Sequence, residues 1–330
     1  MTTGREAWAS ASLVPRRIQN RYWSDLRAEP LVDSRFRHLT AADLVSKQLE
    51  ELWNRVSGPG DRLALAVPGY MGTENLGLLL GIAMDLDIPV VAMVDAAVAA
   101  TRRHYVNAVP VHVDLGLHSA MLTRLSQDGQ VRFERGAVID ASGMLSLYDV
   151  WLRLIAETFV QQSRFDPLHT AETEQVLQDS ILDWLQIAAS QDSVPMNVVY
   201  RGISHDAEIE SLQLVSAAEP VYRNIASNLR ALIRGGVTPA IQLSVRAGRL
   251  PGLAETLKAR VGGEIFLLVP GATARGLAAR CPENRAGTAV RLVRHLPWDQ
   301  SPVHVEADHD HEGARLTLVL LGNNATSVDS

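Results

Sequence analysis

Residues 113–119 read VDLGLHS, and this stretch decides the fold of the chain. It begins inside a β-branched, apolar strand and turns at Gly116 into residues 119–125, where apolar and polar side chains alternate weakly. Residues 131–135 then follow Asp128-Gly129, a dipeptide that is typical of hairpin turns. The sequence therefore predicts a small antiparallel meander of three strands.

The regions on both sides of the meander predict strands that alternate with helices. On the amino-terminal side, apolar runs at residues 63–67 and 89–94 enclose a helix-like segment at residues 75–86. On the carboxyl-terminal side, buried strands are predicted at residues 240–245 and 265–269, with helical segments before and after each. Because strand–helix–strand units pair their strands in parallel, we expect an α/β architecture with mixed sheets in two lobes.

Composition excludes several classes of protein. The chain has 330 residues, enough for two domains, and its 47% of apolar residues excludes wholesale disorder. The formal charge of −6 gives no general basic surface for nucleic acid or anionic lipid. Three aspartates and a proline interrupt the most apolar stretch, residues 76–100, so no membrane span is predicted. Cys281 is the single cysteine, which fits a reducing compartment, and we expect a cytoplasmic protein.

Three segments, in this order, resemble the nucleotide-binding superfamily of actin, sugar kinases and heat-shock-type chaperone ATPases. Residues 63–70, LALAVPGY, and then residues 90–100, VVAMVDAAVAA, are similar to the connecting segment of that superfamily, with Asp95 at its acidic position. Residues 113–119 resemble its second phosphate motif, D-x-G-x-x-[ST]. Residues 241–253, IQLSVRAGRLPGL, are similar to its adenosine motif.

This resemblance implies a two-lobed actin-like ATPase fold with ribonuclease H-like lobes. Lobe I would span residues 1–108, shortened at its amino terminus, and lobe II residues 109–281, with an insertion at about 166–222. Residues 282–330 have no counterpart in the resemblance, and we predict a β-hairpin there.

The resemblance also implies where a nucleotide with Mg²⁺ would bind. Asp95 and Asp114 are the candidate catalytic residues, because carboxylates of this kind order the water around Mg²⁺. The candidate cofactor-binding residues lie in two turns: Asp114, Gly116, Ser119, Arg246 and Gly248.

Several departures from the superfamily pattern weaken the implied phosphate site. Its first phosphate loop, a second D-x-G-[ST] on an amino-terminal hairpin, is expected to be missing, because residues 114–116 form the only D-x-G triplet. Leu117 and His118 stand where many relatives carry glycine, and the Cβ atom restricts close approach to phosphate. At the adenosine turn, Arg246 and Ala247 replace glycines, and Arg246 is long enough to fill the adenine pocket. We therefore expect no cofactor, or weakly bound ATP or ADP with Mg²⁺.

Two functions remain open at this point. The leading interpretation is a degenerate chaperone-like protein with weak or no ATP hydrolysis, which acts as a protein-binding or assembly module. The alternative is an active Mg²⁺-dependent ATPase or kinase of the same superfamily, whose missing hairpin a partner chain would supply. A missing hairpin would also leave an unpaired strand edge in lobe I. We expect this edge to be covered, either by self-association or by C-terminal strands around residues 303 and 316–321.

Three further motifs favour ordinary structural roles. Residues 116–120 lack the glycines of a serine-hydrolase nucleophile elbow. The acidic and histidine-rich residues 304–312 are potential zinc ligands, but consecutive residues converge poorly on one ion. A solvated hairpin tip between strands at 303–305 and 316–321 is therefore the favoured interpretation. Four arginines within residues 16–27 are explained by a surface helix, and Asp114 itself is suited to cap a turn.

Overall fold

The computed structural model describes residues 2–233, 236–282, 289–305, 318–321 and 324–327. The helices are α1 (Gly4–Trp8), α2 (Ala41–Val56), α3 (Thr73–Asp85), α4 (Ala96–Ala100), α5 (Met144–Ser163), α6 (Ala171–Ala188), α7 (Ser211–Ile233), α8 (Val245–Gly248), α9 (Leu253–Val261) and α10 (Ala272–Ala279). The strands are β1 (Leu63–Val67), β2 (Val90–Asp95), β3 (Tyr105–Val106), β4 (Val109–Leu115), β5 (Ser119–Ser126), β6 (Val131–Asp140), β7 (Ser193–Tyr200), β8 (Ile203–Glu210), β9 (Pro239–Leu243), β10 (Glu264–Leu267), β11 (Leu292–Val293), β12 (His295–Leu296), β13 (Val303–His304), β14 (Leu318–Leu321) and β15 (Asn324–Ser327).

The larger sheet contains six strands in the order β10-β9-β4-β5-β6-β12. Strands β4, β5 and β6 pair antiparallel, which confirms the predicted meander, whereas β9 and β10 extend the sheet in parallel from β4. The fully buried Trp151 of α5 and Tyr222 of α7 belong to the core that packs on this sheet. Their polar atoms donate to the backbone carbonyls of Leu214 and Pro251 at 2.8 and 3.0 Å, so burial of these rings leaves no unpaired donor.

The smaller sheet has the order β1-β2-β11, and its strands are parallel. Helix α3 connects β1 to β2, which confirms the predicted strand–helix–strand unit. Leu63 and Leu65 pack toward α2 and α3 on one face, while Ala64 and Ala66 pack toward α4 and α10 on the other. The protein is therefore α/β with mixed sheets, as the sequence predicts. No helix among the described residues is long and apolar enough to cross a lipid bilayer.

Strand β1 forms an open edge of the smaller sheet. Within the described part of the chain, β1 pairs only with β2. Helices cover both faces of β1, yet residues 63–66 remain only partly buried. Among the described residues, the N–H and C=O groups on the side of β1 away from β2 have no strand partner, so this edge is open to pairing with another strand.

The carboxyl-terminal strands return to both sheets. Strand β11 pairs with β2, β12 pairs with β6 of the larger sheet, and β13 pairs with β3. Strand β14 pairs antiparallel with β15, so a two-stranded hairpin lies within residues 282–330. Among the described residues, β13 pairs with β3 and not with β14, and neither strand pairs with β1. His304 lies in β13, whereas residues 306–312 of the acidic and histidine-rich motif lie outside the described residues.

Candidate functional site

A cavity of about 840 Å³ opens where the carboxyl ends of β1 and β4 approach each other. Pro68 and Tyr70 line it after β1, and the turn between β4 and β5 lines it from the larger sheet. Arg246, in the first turn of α8, contributes from the end of β9. The outer wall comes from residues 4–24, which we call the N-terminal strap.

The N-terminal strap forms hydrogen bonds with two helices, α6 and α2. The backbone N–H of Ser12 donates to the Gln175 side chain of α6 at 2.8 Å. Further along the strap, the Tyr22 hydroxyl and the Trp23 indole N–H both donate to the Gln48 Oε1 atom of α2, at 3.0 and 2.5 Å. The strap therefore lies opposite the end of β1 and encloses the cavity.

The turn between β4 and β5 is fixed by the start of α5. The N–H of Gly116 donates to the Ser119 carbonyl at 2.9 Å, and the first two N–H groups of α5 donate to the carbonyls of Gly116 and Leu117 at 3.0 and 2.9 Å. A Cβ atom at Gly143, directly before α5, would lie 2.5 Å from the His118 backbone. These two α5 amides are thus already paired and are not available to a phosphate.

Leu117 and His118 fit this turn without backbone strain. Neither residue has a positive φ angle, so the turn does not require glycine at these positions. The His118 Nε2 atom lies 3.0 Å from the Asn20 side-chain oxygen of the strap. Burial and the nearby Arg21 lower the pKa of His118, although the Asn20 carbonyl raises it, so the imidazole is neutral at pH 7.

Asp114 forms an ion pair with Arg246 inside the cavity. The Arg246 Nη2 atom lies 3.3 and 3.5 Å from the two carboxylate oxygens, and the Leu115 N–H donates to Asp114 Oδ1 at 2.9 Å. Tyr70 lies beside this pair, and its burial raises the pKa of its hydroxyl, with Arg246 acting in the opposite direction. Arg246 therefore reaches the turn between β4 and β5, and its guanidinium occupies one approach to the Asp114 carboxylate.

Asp95 and Gly248 are not among the residues that line this cavity. The Asp95 side chain is 1% exposed and accepts from the N–H groups of Ala97 and Val98 at 3.0 and 3.2 Å, as the N-cap of α4. Burial raises the pKa of Asp95, while these two hydrogen bonds lower it. At Gly248, an added Cβ atom would lie 3.2 Å from a methyl carbon of Leu267, so this glycine permits packing against β10.

The cavity unites four of the six predicted site residues and adds several that the sequence did not reveal. Asp114, Gly116, Ser119 and Arg246 all line it. Tyr70, the last residue of the LALAVPGY segment, also lines it, and the residues that sequence reasoning missed come from the strap and from three helices: Asn20, Tyr22, Trp23, Gln48, Asp149, Glu174 and Gln178. They carry no motif, because their role depends only on where distant segments meet.

The electrostatic balance of the cavity is negative. Among the residues that the structure describes, its lining contains three carboxylates, Asp114, Asp149 and Glu174, and one guanidinium, that of Arg246, which gives a formal charge of −2. Within the described ranges, no group of three histidine, cysteine, aspartate or glutamate side chains is arranged to hold a metal ion. Within the described lining, carboxylates outnumber guanidinium groups, so the side chains do not form a cationic cradle of the kind that phosphate oxygens prefer.

No model of a known protein family matches this chain, and no curated protein matches it significantly.

Proposed function

We propose that this chain is a degenerate member of the superfamily of actin, sugar kinases and heat-shock-type chaperone ATPases, with weak or no ATP hydrolysis. In this proposal it acts as a cytoplasmic protein-binding or assembly module. The ion pair between Asp114 and Arg246 carries the proposal, because it engages the carboxylate of the only D-x-G triplet.

The ion pair opposes the step that a phosphoryl-transfer enzyme of this superfamily needs. An aspartate that orders water around Mg²⁺ must present a carboxylate that faces the ion, and a guanidinium at 3.3 Å repels a divalent cation from that position. The paired amides of α5 and the −2 charge of the lining further disfavour a triphosphate. ATP or ADP with Mg²⁺ would then bind weakly or not at all.

The topology of the larger sheet supports the proposed fold. An antiparallel meander, β4 to β6, is extended from its first strand by the parallel strands β9 and β10, with helices in the connections. This is the arrangement expected of a ribonuclease H-like lobe. The smaller parallel sheet, with β1 and β2 joined by α3, is consistent with the second lobe.

The protein-binding role is supported by the open edge of β1. An unpaired strand edge is a template for strand addition, by a partner protein or by another copy of the chain. Self-association through this edge is part of the proposal, and a dilution series followed by light scattering measures it.

Thermal unfolding with ATP and ADP, with and without Mg²⁺, tests the nucleotide part of the proposal. A nucleotide with a Kd near the millimolar concentration used adds only about 0.4 kcal/mol, which raises the midpoint by roughly 1 °C. We expect a shift of this size or smaller, and no ATP turnover above background. A shift of several degrees that requires Mg²⁺ and disappears in Asp114→Ala would instead favour the ATPase.

A further inference from the structure

Two acidic side chains in the cavity have no counter-charge. Asp149 of α5 is exposed and Glu174 of α6 is partly buried, and neither has an ion pair or side-chain hydrogen bond among the described residues. The third carboxylate, Asp114, is already paired with Arg246. A ligand that brings positive charge would therefore lower the electrostatic energy of this cavity, whereas an anion would raise it.

Aromatic side chains line the same space as these carboxylates. Trp8, Tyr22 and Trp23 of the strap line the cavity together with Tyr70. The shared hydrogen bonds to Gln48 hold two of these rings in place. Aromatic faces attract organic cations and cover the methylene groups that carry them, whereas a bare metal ion gains little from them and needs converging oxygen ligands.

We propose that the cavity binds an organic cation: an amine or guanidinium group on an apolar stem. The inference rests on the proposed function, because a cavity that held a nucleotide with Mg²⁺ would have no room for such a ligand. The volume of about 840 Å³ lies within the ordinary range of small-ligand sites, and the charge of −2 matches a ligand with one to three positive groups.

The same chemistry has two possible sources, a free polyamine and a lysine or arginine side chain of a partner protein. Two probes separate these sources: spermidine, and a glycine–serine peptide that carries three lysines. The same peptide with glutamine in place of each lysine is the uncharged control. Calorimetry and the fluorescence of Trp8 and Trp23 report binding, at about 150 mM salt so that long-range attraction is screened.

Matched double variants test whether the cavity, rather than the overall acidity of the chain, attracts the cation. Asp149→Asn with Glu174→Gln removes two negative charges from the cavity. Glu172→Gln with Asp183→Asn removes two from exposed positions of α6 outside the lining. We expect the first pair to weaken binding of the preferred probe at least tenfold and the second pair to leave it unchanged.

The outcomes separate this inference from the function on which it rests. Binding of spermidine alone identifies a free amine as the ligand, and binding of the lysine peptide alone identifies a side chain of a partner. Equal weakening by the two double variants, or binding of neither cationic probe, overturns the cation site. If ATP with Mg²⁺ binds tightly to the same cavity while both probes fail, the proposed function falls together with it.

Discussion

Asp95 illustrates how one side chain can satisfy a motif and a structural need at once. The resemblance predicts a catalytic carboxylate, whereas the structure places the side chain at the start of α4, where it caps two N–H groups. Asn is an equally good N-cap, so Asp95→Asn keeps these hydrogen bonds and removes only the titration. If the protein has any ATP turnover, its loss in this variant would come from the missing carboxylate and not from misfolding.

The pH dependence of the Asp95→Asn variant has a definite sign. Because burial raises the pKa of Asp95 above 3.8 in the folded state, the folded protein holds this proton more tightly than the unfolded chain. The stabilisation is complete below pH 3.8 and is lost as the pH rises through the folded pKa. Urea unfolding should therefore show that the stability of the variant relative to wild type increases from pH 4 to pH 8. A constant difference would mean that the carboxylate is as well stabilised in the fold as in water.

The sequence predicts which residues lie in the turn between β4 and β5, but it does not predict which distant side chains contact them. Asp114, Gly116 and Ser119 lie within six residues, so a local motif is enough to place them on one turn. The ion pair to Arg246 joins positions that are 132 residues apart, and it depends on the pairing of β4 with β9. No pattern of residue types in a single sequence contains that register or the direction of a long side chain.

At the scale of elements, the N-terminal strap depends on a buried glutamine of α6. Gln175 is 5% exposed; it accepts from the Ser12 N–H at 2.8 Å and donates to the Trp8 carbonyl at 3.1 Å. Gln175→Ala removes the acceptor of the Ser12 N–H, which costs about 1–3 kcal/mol, whereas the Trp8 carbonyl keeps the Ala11 N–H as a donor at 2.9 Å. We expect residues 4–24 to exchange amide hydrogens faster and to be cleaved sooner by protease.

Gln186→Ala is the matched control for the strap. Gln186 is exposed on the same helix, and its substitution should leave exchange and cleavage of the strap unchanged. If Gln175→Ala also leaves them unchanged, the strap is held by its aromatic contacts instead, such as the one between Trp8 and Tyr148 at 5.8 Å.

Long periodic elements are predictable from the sequence, and short ones are not. Helix α2 has 16 residues and begins after the capping residue Thr40, which accepts from the Asp43 N–H and donates its own N–H to the Asp43 carboxylate. Strands β11, β12 and β13 contain two residues each, too few for any periodicity, so only their tertiary partners define them. For this reason the sequence does not reveal that β13 pairs with β3, whereas it predicts the meander and the unit of β1, α3 and β2 correctly.

At the scale of the whole molecule, the two sheets meet at a buried polar joint. The Thr101 hydroxyl accepts from the Gln242 side chain of β9 at 2.8 Å and donates to the Ala97 carbonyl of α4 at 2.8 Å. Arg280 donates to the Thr101 carbonyl at 2.9 Å and to the Pro297 carbonyl at 3.1 Å. The joint thus links the larger sheet, α4 and the returning carboxyl-terminal segment. No sequence motif around Arg280 predicts these contacts.

Substitution of Arg280 tests whether this joint holds the molecule together. The side chain is 2% exposed, and it also donates to the Gly276 and Ala99 carbonyls, so Arg280→Met leaves several carbonyls without donors. We expect a loss on the order of 3 kcal/mol in urea unfolding, because each hydrogen bond from a charged donor is worth more than a neutral one. Arg103→Met is the control, since within the described ranges the Arg103 side chain donates to Gln300 alone and its loss should cost about 1 kcal/mol. Equal losses in the two variants would mean that the carbonyls around Arg280 find water when the guanidinium is removed, and that the sheets are held together by apolar packing alone.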